Sequence, residues 1–487
     1  MTQRTGSRLD VEARKISEKI LASDSVIVAS HIDADGISAA AVASSALDRA
    51  GIEHEVIFLK KLDEESIADL DRKAEESVVW LTDLGSGYAS GFSSPNVIIT
   101  DHHEMETPPQ GGDEPVQTTL ASYSERAHLN PAFFGHAGAK EISGAGLAYY
   151  VAIEMDKENE MLVDLTVIGA IGDMQDQESR RLIGLNARLV DAGVKLGIVR
   201  RTPDLRFFGT ETRTLQRLLE YANDPLLPGL TGDSYACDEF YRMLKINTEG
   251  PEGPRHWSDL SEPEKQRVLT SLSRRILENG GTEREVERLT GEVYTFPKER
   301  KGSPTREARE FATLLNSCGR NDMAELGMRI CKGDRGRPLE RALELLREHR
   351  GNISNALFFI REIGISQHES IQHFHCADQV KETIVGSVVG ILLGSGEADR
   401  SKPLVGFALA KEQSGEFKIK VSARAAYELV GRGLNLSSAI KGAAQAVGGI
   451  GGGHNVAAGA TIPLGTEDEF LRLLDEAVHG QLRSLKA

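Results

Sequence analysis

Residues 26–40 read VIVASHIDADGISAA. The opening VIVAS is short, apolar and uninterrupted, as a strand covered on both faces requires. It breaks at once into His31–Gly36, a predicted turn carrying one imidazole and two carboxylates. The alanine-rich stretch from Ile37 to Asp48 then has strong helix propensity. Working outward, Glu55–Leu59 reads as a strand and Ser66–Leu70 as part of a short helix. Val78–Thr82 is a third strand ending at Asp83, and Val97–Thr100 a fourth ending at Asp101. This alternation predicts a parallel α/β sheet. The polar residues fall just past the carboxyl ends of those strands, where open α/β sheets place their ligands.

Farther along, residues 107–117 (TPPQGGDEPVQ) read as a loop. Ser143–Glu154 reads as a helix entered through SGAG, and Leu162–Ala170 as an apolar element ending in Gly172-Asp173. From about 212 to 350 the chain is dominated by charged amphipathic segments such as LERALELLREHR (339–350), with a strand expected at EVYTFP (292–297). After about 365 the pattern returns to mixed α/β. KPLVGFALA (402–410) and EFKIKVSAR (416–424) read as strands joined by the polar turn KEQSG. A helix at 436–446 leads into the glycine-rich run GGIGGGHNVAAGATIP, and a last helix covers 467–485. The expected organisation is an N-terminal parallel-sheet domain (1–210), a mostly helical middle domain (211–365) and a C-terminal mixed α/β domain (366–487).

With 487 residues, two to four domains are expected, and 40% hydrophobic with 27% charged residues is globular composition. The N-terminal twenty residues contain no apolar h-region and no stretch reaches 18 apolar residues, so neither a signal peptide nor a membrane span is expected. The run from Ile384 (IVGSVVGILLGSG) reads as buried core. Cys237, Cys318, Cys331 and Cys376 are scattered and form no CxxC pair, which fits a cytoplasmic protein with buried thiols rather than a zinc or disulfide framework. A net charge of −16 excludes a basic nucleic-acid coat protein, although not an enzyme whose cleft is locally positive.

His31, Asp33 and Asp35 alternate, so an extended segment would point them one way and a turn would fan them around a point. Imidazole with several carboxylates suits Mn²⁺, Zn²⁺ or Mg²⁺, and a carboxylate-rich set leans toward the harder ions. Asp83 is placed to bridge two ions, with His102 and Asp173 completing the second. Two cations about 4 Å apart clamp the attacking and leaving oxygens of a phosphodiester and acidify bound water. Bound cations would also relieve the mutual repulsion of so many acids.

These motifs carry a resemblance. SHIDADGISAA (30–40) and TDHHE (100–104) resemble the DHH phosphoesterase superfamily, and GGGHNVAAG (451–459) resembles the signature of its C-terminal DHHA1 domain. LNP (129–131), SGAG (143–146), LRFFGTETR (205–213), DPLLPGLTGD (224–233) and NSCGR (316–320) resemble the archaeal RecJ-like single-strand nucleases, including those associated with the GINS replication complex. The resemblance implies two Mn²⁺ ions, with Mg²⁺ as a substitute. His31, Asp33 and Asp83 would hold one, and Asp35, Asp83, His102 and Asp173 the other. It further implies that Asp101 orients the site and that His103 contacts the scissile phosphate. Asp173 is chosen over Asp164 and Asp176 because GAIGD matches the family's fourth motif. In the DHHA1 part, Gly451, Gly452 and Gly453 would approach phosphate through backbone amides, with His454 and Arg424 adding side-chain contacts.

The function this implies is a metal-dependent exonuclease acting on terminal phosphodiesters of single-stranded DNA or RNA, linked to replication or repair, with a GINS subunit as partner. Phe207, Phe208, Phe374 and His375 are candidate base-stacking side chains, although core packing suits each phenylalanine better. A small-molecule or short-oligonucleotide phosphodiesterase is the second reading. The third is a structural replication factor; relatives of that kind lose metal ligands, whereas every ligand that can be placed is kept here.

Overall fold

The VIVAS run forms β1 (Ser25–His31), the second strand of a five-stranded sheet. This computed structural model describes residues 7–105, 127–222, 224–411 and 415–483. Alongside β1 lie β2 (Glu53–Leu59), β3 (Val78–Thr82), β4 (Val97–Thr100) and β5 (Ala127–Leu129), in the order β2-β1-β3-β4-β5, all parallel. Alternate residues separate onto two cores, as the strand period demands. Val26, Val28, Trp80 and Ile98 face the main core, whereas Ala29, Val79, Leu81 and Ile99 face a smaller one with Leu70 and Phe92.

The main core is closed by helices. α1 (Arg8–Leu21) starts at a capping box formed by Ser7 and Asp10 and buries Leu9, Ala13, Ile16 and Ile20 at helical spacing. α2 (Ala34–Ala50) is capped by the Asp33 carboxylate, which accepts from the Gly36 amide at 2.9 Å, and ends at Gly51 with φ 69°. The helix therefore begins inside the predicted His31–Gly36 turn, and Asp35 and Gly36 belong to its first turn. Its Ala39, Ala40, Ala41 and Ala43 are fully buried, which lets the helices Gly144–Met155 and Val163–Gly172 pack closely against it. The apolar element expected at 162–170 is the second of these helices. Helices Ala308–Arg320 and Ala324–Cys331, from the predicted middle region, pack on the same group.

The strand expected near 292 is Thr290–Thr295, and it pairs antiparallel with Arg200–Leu205. The two strands of this ribbon flank the helical segment 206–289 in sequence. By contacts the chain divides into two units, residues 1–220 with 232–346, and residues 221–231 with 347–487. Most of the helical middle thus packs with the parallel-sheet part.

The second unit holds a six-stranded mixed sheet in the order Ser366–Gln367, Gln372–His375, Leu404–Lys411, Phe417–Arg424, Ala457–Pro463, Ile450–Gly453. Val405 and Phe407 face a core with helices Leu436–Ala446 and Glu467–Arg483. Leu404 and Ala408 face another with helix Val385–Ser395, the apolar run read as buried core. The glycine-rich run is a β-hairpin rather than an open loop. Gly451 lies against Ile440, Ala444 and Ala460, where a Cβ would come within 3.1 Å of each, so its smallness lets the helix cover the strand. The predicted loop 107–117 lies outside the described residues, as does most of the KEQSG turn. No helix among the described residues is long and apolar enough to cross a membrane.

Candidate metal centre

The six predicted ligands converge at the carboxyl ends of β1, β3 and β4. His31 ends β1, and Asp33 and Asp35 flank the start of α2. Asp83 follows β3, His102 follows β4, and Asp173 caps the C-terminus of helix Val163–Gly172. His102 Nε2 lies 3.0 Å from Asp173, 3.2 Å from Asp83 and 3.6 Å from Asp35. On the other side, His31 Nδ1 is 2.8 Å from Asp33 and 3.9 Å from Asp83. Three overlapping groups result, His31/Asp33/Asp83, Asp35/Asp83/His102/Asp173 and Asp83/His102/His103, in each of which the ligand atoms lie within 4.8 Å of one another. Asp83 is common to all three, and the first two are the groups expected from the sequence. Asp164 and Asp176, the rival positions for Asp173, are engaged elsewhere: Asp164 pairs with Lys298 at 2.5 Å, and buried Asp176 pairs with Arg206 and Arg309 at 2.5 and 2.7 Å.

The surroundings hold these side chains tightly. The Asp35 carboxylate accepts from the amides of Gly144 and Ala145 at 2.6 and 3.0 Å, at the positive end of the helix that Ser143 caps. The Nδ1–H of His102 donates to the Gly138 carbonyl at 3.0 Å, which turns the Nε2 lone pair toward the carboxylates. Gln175 donates to the same carbonyl and to that of Ile142, and is held in turn by Asn186. Asn316 accepts from the Ala34 amide at 2.9 Å and fixes the entry to α2. Asp83 has φ 60°, a left-handed conformation that costs a non-glycine residue of order 1 kcal/mol or more. Glycines complete the wall, since a Cβ on Gly36, Gly138, Gly144 or Gly169 would fall within 2.6 Å of an atom of His31, His102, Asp83 or Asp35 respectively.

Asp101 is buried beside the cluster. It accepts from the Ser86 amide at 2.7 Å and from His103, whose Nδ1 is 2.7 Å away. Asn130 donates to Ser86 Oγ and to the His103 carbonyl, so this corner is tied to the loop after β5. His103 is thereby oriented with its ring half-exposed.

His31 Nδ1, His102 Nε2 and both oxygens of Asp83 are buried and make no hydrogen bond of good geometry, although carboxylate oxygens lie within 2.8–3.0 Å of the two imidazoles. Such atoms are costly to leave unsatisfied, and four meeting in one place fit divalent cations better than a structural network. The acid–base balance agrees. Burial, then Asp173, pushes Asp35 to about 6, and burial with Asp35 and Asp33 carries Asp83 well above the usual carboxylate range. Burial opposes the charged form of His102, but its contacts with Asp173 and Asp83 win and raise it; His31 rises likewise beside Asp33. Despite burial, the contact with His103 holds Asp101 far below the usual range.

A pH prediction follows. Groups raised on folding stabilise the metal-free protein at low pH and lose that contribution as pH rises through the folded value. In EDTA, stability should therefore fall from about pH 4 through 6 as Asp35 ionises, by on the order of 1–3 kcal/mol, and fall further as His31 and His102 deprotonate. The thermal shift given by Mn²⁺ should grow over the same range, because ligands must shed protons to bind it. Melting curves with and without metal at several pH values measure both, and a flat metal-free profile would contradict the first.

The predicted substrate residues lie in the second unit. Arg424, exposed at a strand end, donates from Nε to the Gly386 carbonyl at 3.1 Å. Opposite it is Ala457, next to the Ala458–Gly453 pair, so Arg424 and Gly453 share one end of the sheet, with Gly451 and Gly452 running back along the edge strand. His454 is exposed in the hairpin turn. Phe207 and Phe374 are core residues, and His375 stacks on Phe407.

Residues 25–171 match the model of the DHH family N-terminal domain, 207–290 that of the DHH-CID domain and 372–480 that of the DHHA1 domain. The chain belongs to the DHH/DHHA1 superfamily. An uncharacterized protein of Methanocaldococcus jannaschii is 27% identical over 475 residues, covering 96% of this chain and 97% of that one. Among solved structures, RecJ in complex with Mn²⁺ from Thermus thermophilus matches at 15% identity and a TM-score of 0.55, over 99% of this chain and 56% of that one. CDC45 from Entamoeba histolytica matches at 10% identity and a TM-score of 0.62, over 96% of this chain and 99% of the other. At these identities the likeness is one of fold, and the chain spans about half the length of the Thermus protein.

Sequence reasoning missed the supports of this DHH site. Gly138, Gln175, Asn186 and Ser86 leave no local signal, although Asn130, the SGAG amides and Asn316 all lie in motifs quoted above.

Proposed function

We propose that this DHH/DHHA1 protein is a metal-dependent phosphodiesterase that removes terminal nucleotides from single-stranded DNA or RNA. The observation that carries the proposal is the convergence of His31, His102 and Asp83, whose buried polar atoms crowd together without well-formed hydrogen bonds, on two overlapping groups of ligands. His31, Asp33 and Asp83 would hold one Mn²⁺ or Mg²⁺, and Asp35, Asp83, His102 and Asp173 the other. Bound there, the ions supply Lewis-acid charge for the phosphate and lower the pKa of water. The chain's own part is to fix the ligands and dispose of protons. Asp101 accepts from the Nδ1–H of His103, aims the ring outward and raises its pKa, which favours the imidazolium whose Nε2–H can donate to a phosphate oxygen. Arg424, His454 and the amides of Gly451, Gly452 and Gly453 are the proposed contacts for the rest of the strand. Residues 1–210, 211–365 and 366–487 are proposed as the catalytic, helical and substrate-binding parts, with a GINS subunit as partner in the cytoplasm.

End-labelled single-stranded DNA and RNA and dinucleotides, each incubated with Mn²⁺ or EDTA, test the reading. Stepwise shortening of the polymers with Mn²⁺ alone is expected. Cleavage confined to dinucleotides would move the protein to the small-substrate class, and no metal-stimulated cleavage would sink the enzyme reading. Copurification with a GINS subunit tests the partner.

A further inference from the structure

A cavity of about 1100 Å³ lies at the far end of α2 from the ligand cluster and shares none of its residues. Ser45 and Arg49 line it, whereas Asp35 sits in the first turn of α2, a separation of about 20 Å along the helix. All its lining residues belong to the first unit. Six are cationic, namely Arg49, Lys298, Arg300, Lys301, Lys332 and Arg335, and two are carboxylates, Asp164 and Glu299. The lining itself thus carries four more cations than carboxylates, in a chain whose net charge is −16, and Asp48, Glu158 and Asp259 just outside it pair with three of those cations. A cleft lined by one sign of charge concentrates ions of the other.

The cations are preset. Arg335 is held in a two-point pair by Glu299 at 2.8 and 3.0 Å, and Lys298 by Asp164 at 2.5 Å. Lys332, Lys301 and Arg49 are steadied from outside the cavity by Asp48, Asp259 and Glu158, which leaves Arg300 as the lining cation with no acid assigned to it among the described residues. Three of the six stand on the single loop stretch 298–301, which suits the dense charge of linked phosphates better than the spaced charges of an acidic peptide. The remaining wall is largely apolar, including Leu162, Leu165, Leu339 and Leu343, with Ser45 and Ser303 as its polar members. Apolar wall, convergent cations and volume together match a ligand of nucleotide size.

We propose that this cavity is a second site, separate from the metal centre, that binds a nucleoside polyphosphate with its phosphates on the 298–301 loop and its nucleoside against the leucines. The site does not depend on the catalytic reading, and its test involves no cleavage. Calorimetry of the full chain with ATP in excess EDTA should show saturable binding of one ATP per chain. The double substitution Arg300→Ala and Lys301→Ala, at two exposed positions, should weaken it at least tenfold, while Asp83→Asn leaves it unchanged. Inorganic tripolyphosphate should bind at least tenfold more weakly than ATP. The proposal is overturned by absence of saturable ATP binding, by equal binding to the double variant, by loss in Asp83→Asn, or by equal affinity for tripolyphosphate.

Discussion

Asp83→Asn should give a folded protein that has lost Mn²⁺-stimulated cleavage by about 10³-fold or more, the scale of about 4 kcal/mol of transition-state stabilisation. Asp83 is the one carboxylate common to both ligand groups, so its loss weakens both ions at once. The substitution also separates catalysis from folding. Asparagine tolerates the left-handed region, so φ 60° at this position is kept. Burial, Asp35 and Asp33 already disfavour the charged form of Asp83 in the metal-free state, so a neutral amide there costs that state little. In EDTA the variant should therefore melt close to the parent, whereas the upward shift on adding Mn²⁺ should largely vanish. Melting curves and end-label assays on one preparation decide it. Undiminished cleavage, or an undiminished Mn²⁺ shift, would remove Asp83 from the site.

Gly169→Ala should be nearly as damaging although it deletes no ligand. On helix propensity alone, alanine inside Val163–Gly172 should stabilise by about 1 kcal/mol. The neighbours reverse that sign. An added Cβ would lie 2.1 Å from Asp35 Oδ1 and 2.8 Å from the Ala145 Cβ. Either Asp35 leaves the amides of Gly144 and Ala145, or the helices part; overpacking of this kind costs about 1–3 kcal/mol. A ligand displaced by about 1 Å is enough to lower the rate by about 10²-fold. The control is Gly442→Ala in helix Leu436–Ala446, where a Cβ meets nothing within 4 Å and the propensity gain should survive. A Gly169→Ala protein as active and stable as its parent would show that the clash is absorbed elsewhere.

The candidate ligands other than Asp173 were legible because each follows a short apolar strand, and strand ends in a parallel sheet converge on one edge; Asp173 ends a helix and was chosen by its motif. What fixes the ligands was not legible, because the contacts join distant parts of the chain. Asn316 reaches the Ala34 amide, and the Gly138 carbonyl orients His102; neither pairing has a local pattern. β5 escaped notice because it is only three residues long. The glycine-rich run was legible as special but not as a strand. Glycine usually weakens strands, and here the close approach of Leu436–Ala446 reverses that expectation. The cationic cavity was hidden for the opposite reason: residues 298–301 look like ordinary solvated charge until the fold curls them around a concavity.

The excursion of residues 221–231 into the second unit bears on how the gene can be divided. The chain passes from one unit to the other three times, so no single cut yields two self-contained products. A fragment ending at 346 keeps residues 221–231 but loses the unit to which they belong, and the complementary fragment lacks a piece of its own core unit. Complementation from separately expressed halves should therefore work poorly, and a change in the length of this short excursion should be felt in both units. Inheritance of the two parts as one indivisible cassette is the expected outcome for a polypeptide threaded in this way.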